Sequence, residues 1–427
     1  MADLQKGDKF ETKDGRTVTV LEKLGKEGGQ GAVYEIDHNG KHKALKWYHK
    51  RYVENLKAPR KFYENLDNNI KRGAPTDSFL WPQDILKNEE SFGYVMDLRP
   101  PEYKDFTHFL LAKEKFASVT AMLNAALNIT AGFRELHNKG YSYQDLNDGN
   151  FFINPKSGAV LICDNDNVSE FGKSSGIAGK ARYMAPEIVV GKASPGTKTD
   201  SFSLAVVLFL LFINDHPLEG KKTCVPCMTE ELEKKFYGKE PVFIYDPEDT
   251  SNRPEPGIHR NALKRWERYP VCLREMFQKA FSKQVLSDPS YRVLEIDWLR
   301  LFIRLRAEIF KCSCGEVFFA DAVESTSCPR CGKNHKFNLC IKTSRYIVPV
   351  HQRTRLYSCH IESGSNDFST PAGEIVLRGD AFSLKNVSLK TWIVSDGTKK
   401  DTVAPDSLAL LRKGITIDFG GESAQVI

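Results

Sequence analysis

Ten consecutive apolar residues at positions 204–213, LAVVLFLLFI, constrain the fold of this 427-residue chain most. The run is about half the length that a helix needs to cross a bilayer, and it follows polar residues typical of a helix start. We therefore predict a helix buried in the core of a helical domain. A chain of this length exceeds what one hydrophobic core usually organises, so two or three domains are expected.

Short strands are predicted before this helix and further helices around it. Alternating apolar segments flank His38, Asn39 and Gly40, which are typical of a hairpin turn. Residues 92–98 form a buried strand, residues 51–72 and 116–139 form helices, and Gly140 ends the second helix. The order predicts a β-rich lobe followed by a helical lobe that extends to about residue 310.

Charge and the N-terminal residues limit the classes of function. Lys and Arg exceed Asp and Glu by 61 − 55 = 6 and are spread along the chain, which does not favour a nucleic-acid partner. The first fifteen residues are polar, without the apolar segment of a secretory signal, and neither end carries a lipidation motif. We expect a cytoplasmic protein that does not bind membranes.

A glycine-rich segment between two predicted strands is a candidate phosphate-binding loop. Glycines let backbone amides approach a polyphosphate closely, although such a segment is more often only a tight turn. The following strand carries Ala44 and Lys46, and this lysine either reaches the phosphates or is one surface lysine among several. The candidate nucleotide-binding residues of the loop and its strand are Gly25, Gly28, Gly29, Gly31 and Val33.

Acidic and amide side chains follow in two loops farther along. Asp145 and Asn150 lie in a polar loop before one short strand, and Asp164 follows the next apolar strand. Residues 184–187 then read Met-Ala-Pro-Glu. Together with the glycine-rich segment and Lys46, this order and spacing resemble the eukaryotic-like protein kinase family over residues 15–305.

The resemblance implies an α+β bilobal protein kinase fold over residues 1–308, with a small lobe of about 1–98 and a large lobe of 99–308. It implies that Lys46 binds the ATP phosphates, Asp145 accepts the proton of the substrate hydroxyl, and Asn150 and Asp164 bind magnesium. Glu64, in preference to Glu54, is expected to pair with Lys46 from a helix.

The resemblance also implies two structural contacts in the large lobe. Glu187 is expected to pair with Arg292, and Asp200 is expected to accept hydrogen bonds from the catalytic-loop backbone.

Three departures from the family pattern affect the expected activity. Gln144 replaces the usual arginine, so activation should not require phosphorylation of the activation loop. Asn147 replaces a lysine near the γ-phosphate, which predicts slow turnover. Asp166 replaces the DFG glycine and is either a second metal ligand or a solvated turn residue. Candidate autophosphorylation sites are Ser169, Ser174 and Ser175.

Two cysteine pairs at residues 309–345 predict a structural zinc ribbon. Each pair is followed by a glycine, and thiolates at such spacing are typical zinc ligands. The first pair is CxC, so His335 or Cys340 could replace one ligand. The predicted ligands are Cys312, Cys314, Cys328 and Cys331. For Cys224 and Cys227, a second zinc site, a redox pair and unpaired thiols all stay open.

Residues 346–427 contain short β segments that predict a β-sandwich and resemble a forkhead-associated-like domain, with a protein-docking or structural role in preference to phosphopeptide capture. Phe79-Leu80-Trp81-Pro82 and residues 216–220 and 252–254 resemble a bacterial kinase subgroup of tellurite-resistance-associated triads. That resemblance implies a von Willebrand-type protein and a metal-dependent phosphatase as partners.

Two functions from different classes follow. The first is an active protein Ser/Thr kinase that uses ATP, Mg²⁺ and a structural Zn²⁺. The second is a pseudokinase scaffold that binds nucleotide and assembles partners, which the altered loops favour. Transfer to a small molecule is a third possibility, but that class usually lacks an Ala-Pro-Glu segment.

Overall fold

The computed structural model describes residues 4–13, 15–25, 28–56, 58–87, 91–170, 179–352 and 354–427. Its contacts divide the chain into two compact units, Met1–Leu299 and Arg300–Ile427.

The first unit opens with a six-stranded antiparallel sheet in the order β1-β2-β3-β4-β6-β5. Its elements are β1 (Lys9–Glu11), β2 (Thr17–Leu24), β3 (Gly31–His38), β4 (Lys41–Tyr48), α1 (Lys50–Asn55), α2 (Pro59–Arg72), β5 (Asp84–Lys87) and β6 (Phe92–Asp97). The predicted hairpin turn is confirmed, because Asn39 and Gly40 join β3 to β4 with φ of 55° and 74°. Positive φ at both positions is the type I′ geometry that matches strand twist.

The two faces of this sheet are both buried. Val18, Tyr34 and Ile36 lie in one cluster, while Ala44 and Tyr48 lie in another on the opposite face. Helix α2 packs on the second cluster through its own apolar side chains, Phe62 and Leu66. Burial of such a side chain contributes about 1.5–3 kcal/mol, so this packing fixes the face that α2 turns to the sheet.

The rest of the unit is largely helical. Its helices are α3 (Phe106–Leu110), α4 (Val119–Asn138), α5 (Pro186–Val189), α6 (Thr197–Ile213), α7 (Glu230–Glu233), α8 (Arg260–Arg265), α9 (Val271–Ala280) and α10 (Lys283–Ser287). Helix α11 (Glu295–Ala307) begins in this unit and ends after the boundary at Leu299. Its strands are β7 (Lys104–Asp105), β8 (Tyr141–Ser142), β9 (Phe151–Ile153), β10 (Val160–Ile162) and β11 (Ser169–Glu170). They form a three-stranded sheet, β10-β9-β7, and a pair, β11-β8.

The predicted buried helix is α6, in which every residue from 199 to 213 is buried. Helix α4 begins where Ser118 Oγ accepts a hydrogen bond from Ala121 N at 3.0 Å, and Gly140, with φ of 79°, follows its end as predicted. Within the described ranges, no helix has both the length and the apolar character that a membrane span requires.

The second unit consists of short antiparallel strands. Its elements are β12 (Ile309–Lys311), β13 (Val317–Phe319), β14 (Thr326–Ser327), β15 (Asn334–His335), β16 (Cys340–Lys342), β17 (Ile347–Pro349), β18 (Arg355–Tyr357), α12 (Ser358–Ile361), β19 (Pro371–Arg378), β20 (Ala381–Asn386), β21 (Trp392–Ser395), β22 (Lys400–Val403), β23 (Leu408–Leu410), β24 (Thr416–Asp418) and β25 (Ser423–Val426). β12 pairs with β13 and β14 with β15, and the remaining strands form a six-stranded sheet, β17-β16-β25-β24-β21-β22, and a four-stranded sheet, β18-β19-β20-β23.

Candidate active site and metal centre

Lys46 is the centre of the candidate active site. It lies on β4, is 6% exposed, and its Nζ donates to Asp164 Oδ1 at 3.2 Å and to Asp166 Oδ2 at 2.9 Å. Its third contact is Gln30 Oε1 of the glycine-rich segment, at 3.0 Å. Burial lowers the pKa of the Lys46 ammonium, but the two carboxylates outweigh burial and raise that pKa well above its ordinary value. The site therefore holds a lysine that stays charged.

The two aspartates differ in their surroundings. The Asp164 side chain is 43% exposed and its backbone has φ of 55°, a left-handed conformation that concentrates at functional sites. Asp166 is 0% exposed, and its Oδ2 also accepts from Tyr48 Oη at 2.5 Å. The interpretation of Asp166 as a solvated turn residue is therefore wrong, because the side chain points into the protein and ends on two donors.

Glu64 does not pair with Lys46, which corrects the expectation. Its carboxylate accepts from Arg60 Nε at 2.9 Å on the same helix, and its side chain is 54% exposed. The cause is the rotation of α2, which turns Phe62 and Leu66 toward the sheet and leaves Glu64 on the outer face.

Helix α2 approaches the Asp164–Asp166 region through amides instead. Asn65 Nδ2 and Asn69 Nδ2 donate to Val168 O at 2.7 and 2.8 Å. These two hydrogen bonds tie the helix to the backbone of the loop that carries both aspartates, without adding a charge.

The loop that carries Asp145 is held by its own side chains. Asn147 Nδ2 donates to Asp145 O at 3.1 Å and to Asp145 Oδ1 at 3.3 Å. Asn150 Oδ1 accepts from Asn147 N at 2.7 Å. Because Cys163 N donates to Asn150 O at 2.9 Å, the backbone of Asn150 lies beside the residue that precedes Asp164. The structure thus brings the two predicted magnesium ligands to the same end of β9 and β10.

Asp200 supports this loop from α6, as predicted. Its carboxylate accepts from Tyr143 N at 2.6 Å and from Gln144 N at 3.0 Å. His137 Nε2 lies 3.2 Å from Asp200 Oδ2, and His137 Nδ1 lies 3.0 Å from Glu295 Oε1. Burial lowers the pKa of His137, but its bonds to the two carboxylates raise it to about 9. A charged histidine therefore joins two carboxylates beneath the catalytic loop.

Asp145 borders a cavity of about 270 Å³ whose lining includes Lys180, Tyr183 and Met184. Burial raises the pKa of Asp145 to about 6, and Asp164 and Asp166 add to the shift while Asn147 and Lys180 oppose it. A carboxylate with this pKa is a competent general base near neutral pH.

The glycine-rich segment reaches this site from the β2–β3 connection. Gly25 has φ of 66°, and Gly28 N donates to Gly31 O at 3.0 Å. A Cβ on Gly31 would lie 2.1 Å from Trp47 O, so only glycine fits that position, whereas Gly29 faces open space. Two further candidates accompany Lys46 on the sheet, Val33 opposite it in register and Ala44 buried on β4.

Two further predictions concern the segment between Asp164 and α6. The predicted pair is confirmed, since Arg292 Nη2 donates to Glu187 Oε2 at 2.8 Å. Ser169 is 1% exposed in β11, whereas Ser174 and Ser175 lie outside the described residues.

Four thiols form a candidate metal centre in the second unit. The ligand atoms of Cys312, Cys314, Cys328 and Cys331 all lie within 4.8 Å of one another. Cys312 Sγ lies 3.7 Å from Cys331 Sγ, and Cys314 Sγ lies 3.6 Å from Cys328 Sγ. Tetrahedral zinc with Zn–S bonds of about 2.3 Å requires S–S separations of about 3.8 Å, so the donor set fits that ion.

Of the two alternative ligands, His335 borders the thiol cluster and Cys340 bonds to a backbone carbonyl. His335 Nε2 lies 3.2 Å from Cys312 Sγ, beside the four thiols. Cys340 is buried and donates to Ala322 O at 2.9 Å. Cys224 and Cys227 are exposed and carry free thiols.

Several contacts of the site were not predicted from the sequence. Tyr48 and Gln30 bind the Lys46–Asp166 pair, Lys180 lies on Asn147, and His137 links Asp200 to Glu295. Gln30 lies within the glycine-rich segment, but Tyr48, Lys180 and His137 belong to no short motif. Only the apolar alternation of β4, which turns Tyr48 to the same side as Lys46, carries a signal.

Comparisons with known proteins relate this chain to protein kinases. Residues 18–256 match the model of the protein kinase domain. "Protein kinase YegI" of Escherichia coli K12 is 24% identical over 355 residues, 76% of this chain and 50% of that protein. "Probable serine/threonine-protein kinase CCRP1" of Zea mays is 25% identical over 202 residues, 46% of this chain and 31% of that protein.

"Beta-adrenergic receptor kinase 1" of Mesocricetus auratus is 30% identical over 118 residues, 27% of this chain and 17% of that protein. The chain spans half the length or less of these three relatives. The family match covers more than half of the 427 residues. This chain belongs to the protein kinase domain family.

Proposed function

We propose that this chain is a protein Ser/Thr kinase that transfers the γ-phosphoryl group of ATP to a protein hydroxyl. The observation that carries the proposal is the charged, buried Lys46 held by Asp164, which is joined through the β9–β10 pair to the loop of Asp145 and Asn150. Phosphoryl transfer needs cations over the phosphates and a carboxylate at the attacking oxygen.

Each residue has a role in this proposal. Lys46 holds the α- and β-phosphates beneath the glycine-rich segment. Asp164 and Asn150 would hold magnesium, which neutralises charge on the phosphates when it is bound. The exposure of Asp164 suits a metal ligand, because part of its carboxylate is open to the solvent. Asp145 orients the substrate hydroxyl and accepts its proton.

Activity independent of activation-loop phosphorylation is part of the proposal. The residue before Asp145 is Gln144, and its side-chain amide donates to Ser142 Oγ at 3.1 Å. A neutral amide does not need a phosphate to balance its charge, unlike the arginine found there in other family members. Protein treated with a phosphatase should therefore transfer phosphate as fast as untreated protein.

The second unit has a proposed assembly role. We assign a zinc ribbon to residues 309–345 and a forkhead-associated-like β-sandwich to residues 346–427. Four clustered thiols support the first assignment, and two antiparallel sheets support the second. Strand β16 (Cys340–Lys342) lies within residues 309–345 in sequence. Because it pairs with β25, it belongs to the six-stranded sheet. The proposed partners are a von Willebrand-type protein and a metal-dependent phosphatase.

Neither the comparisons nor the four retained site residues favour the pseudokinase alternative. The relatives are named as kinases, and the altered positions leave Lys46, Asp145, Asn150 and Asp164 in place.

The test is phosphoryl transfer by the purified full chain with radiolabelled ATP, Mg²⁺ and casein as a generic substrate. The wild type should label itself or casein, and Asp145→Asn should reduce the rate on the order of 10²–10⁴-fold with nucleotide binding retained. Asp77→Asn, at an exposed position, is the matched control. A wild-type protein that transfers nothing to itself, to casein or to a partner protein would overturn the proposal.

A further inference from the structure

Lys46 needs a fixed anion to keep its ammonium beside the phosphates. In the family resemblance that anion is a helix glutamate, but Glu64 pairs with Arg60 on the exposed face of α2. The carboxylates that contact Lys46 Nζ are Asp164 and Asp166. The anion is therefore supplied by the loop after β10 and not by α2.

Asp166 and Asp164 are suited to different tasks. The contact of Lys46 with Asp166 is shorter, 2.9 Å against 3.2 Å, and the Asp166 side chain is 0% exposed whereas that of Asp164 is 43% exposed. Tyr48 Oη donates to the same Asp166 oxygen as Lys46 does. Oδ2 of Asp166 is thus committed to two protein donors, while Asp164 keeps exposed carboxylate surface for a metal.

Without Lys46, the fully buried carboxylate of Asp166 would lose the cation that it contacts, which is strongly unfavourable. Tyr48 packs against Phe62 and Phe92 with ring centroids 5.5 and 5.0 Å apart, so the hydroxyl that braces Asp166 is itself fixed. The Asp166 carboxylate is consequently a rigid support for the ammonium of Lys46.

We propose that Asp166 is the positioning residue for Lys46, taking the part that a helix glutamate plays elsewhere in the family. The proposal rests on the kinase function proposed above. Its consequence concerns regulation: the lysine and a magnesium ligand are set by one loop, so movement of α2 does not make or break the ion pair. Helix α2 follows the loop through Asn65 and Asn69 but does not hold Lys46.

The test compares Asp166→Asn with Asp166→Glu, Tyr48→Phe and the matched carboxylate control Glu64→Gln in the full chain. Asp166→Asn should lower kcat on the order of 10²-fold, because a displaced group near the phosphates has that effect. Asp166→Glu should restore part of the loss, Tyr48→Phe should cause a smaller loss, and Glu64→Gln should stay within twofold of the wild type.

A second measurement does not depend on turnover. Fluorosulfonylbenzoyl adenosine labels a lysine beside the nucleotide phosphates, and mass spectrometry gives the rate at Lys46. This rate should differ from the wild-type rate in Asp166→Asn, because the Lys46 amine loses one of the two carboxylates that hold it, and it should stay unchanged in Glu64→Gln. Circular dichroism melting confirms that each variant is folded.

Three outcomes would overturn the inference. One is wild-type kcat and Lys46 labelling in folded Asp166→Asn. Another is a loss in Glu64→Gln as large as that in Asp166→Asn. The third is a raised Mg²⁺ requirement in Asp166→Asn with normal Lys46 labelling, which would make Asp166 a metal ligand. A wild type that labels at Lys46 but transfers no phosphate would instead contradict the proposed function alone.

Position 147, where the family resemblance implies a lysine, is Asn147, and the side chain of Lys180 lies beside it. Lys180 Nζ donates to Asn147 Oδ1 at 3.1 Å and lies 3.5 Å from Asp148 Oδ1. Asn147 in turn bonds the carboxylate of Asp145. Lys180 and Asp145 also line the same cavity of about 270 Å³. An ammonium group is therefore present beside the catalytic loop, although it comes from the segment before Ala185-Pro186-Glu187.

We infer that Lys180 contacts the γ-phosphate and supplies the charge that a lysine at position 147 gives elsewhere in the family. Lys180→Met should lower kcat at least tenfold with little change in the KM for ATP, since such a contact strengthens in the transition state. Adding Asn147→Lys to Lys180→Met should restore most of kcat. A single variant within twofold of the wild type, or a double variant with no rescue, would overturn this inference.

Discussion

Asp145 is the residue whose protonation state limits the proposed reaction. Burial raises its pKa to about 6, and only the ionised carboxylate can accept the substrate proton. The ionised fraction therefore falls as the pH drops through about 6, and kcat/KM for ATP should decline about tenfold for each further pH unit. A pH–rate profile from 5 to 8 measures this.

The same profile for Asp77→Asn, an exposed aspartate, should match the wild type. A profile that stays flat down to pH 5 would contradict the assignment of Asp145 as the base.

At the residue scale, the spacing of short motifs predicts which side chains share the site. It does not predict contacts that depend on the direction in which a side chain points. Lys46 and Asp164 are expected in one site, and Lys46 Nζ lies 3.2 Å from Asp164 Oδ1. The sequence could not show that Glu64 points away from Lys46, because a shift of one or two positions along a helix turns a side chain from the core to the solvent. Whether Asp166 is solvated or buried likewise depends on the tertiary packing of Tyr48.

At the scale of elements, the contact between α4, α6 and α11 rests on His137. This histidine lies between Asp200 and Glu295, and its side chain is 10% exposed. His137→Gln should destabilise the first unit by about 3–5 kcal/mol, because two buried carboxylates lose their shared cation. Urea unfolding at pH 7 measures the loss.

His108→Gln, at an exposed position on α3, is the matched control and should change the free energy of unfolding by less than about 0.5 kcal/mol. An equal effect of the two substitutions would contradict the role given to His137.

The pH dependence of this contact has a definite sign. The folded pKa of His137 is raised from 6.5 to about 9. The stabilisation is therefore complete below pH 6.5 and is lost as the pH rises through about 9. The shift corresponds to about 3 kcal/mol, so the stability gap between the wild type and His137→Gln should shrink by about that amount from pH 6 to pH 10. Urea titrations across this range test it, and a constant gap would refute it.

Strong local sequence patterns predict the long helices and strands. The short strands form only through tertiary contacts. The apolar run of α6 at residues 204–213 and the β3–β4 hairpin follow from composition and turn residues. The two-residue strands β8 and β11 do not, because each exists only through its pairing with the other. Pro59 starts α2 and so divides the predicted helix of residues 51–72 into two.

At the scale of the whole molecule, the contacts give two compact units, and the second contains both the predicted zinc ribbon and the predicted β-sandwich. The thirty-seven residues of the proposed zinc ribbon offer too little apolar surface for an independent core, so we expect this segment to depend on a bound metal. The core around the four thiols is correspondingly small, with Phe318, Ala320 and the buried Cys312 and Cys328 at its centre.

Dependence of the second unit on zinc is open to direct measurement. Purified chain should contain one zinc ion, measured by mass spectrometry of the metal content, and Cys328→Ser should lose it and lower the melting temperature of the second unit. Cys227→Ser, which removes an exposed thiol far from the four in sequence, should keep both the zinc and the melting temperature. Removal of zinc by a chelator should reproduce the Cys328→Ser melt, and added zinc should reverse it. Because folding and metal binding share one free energy in a site of this kind, a chain that melts identically with and without zinc would exclude a structural metal there.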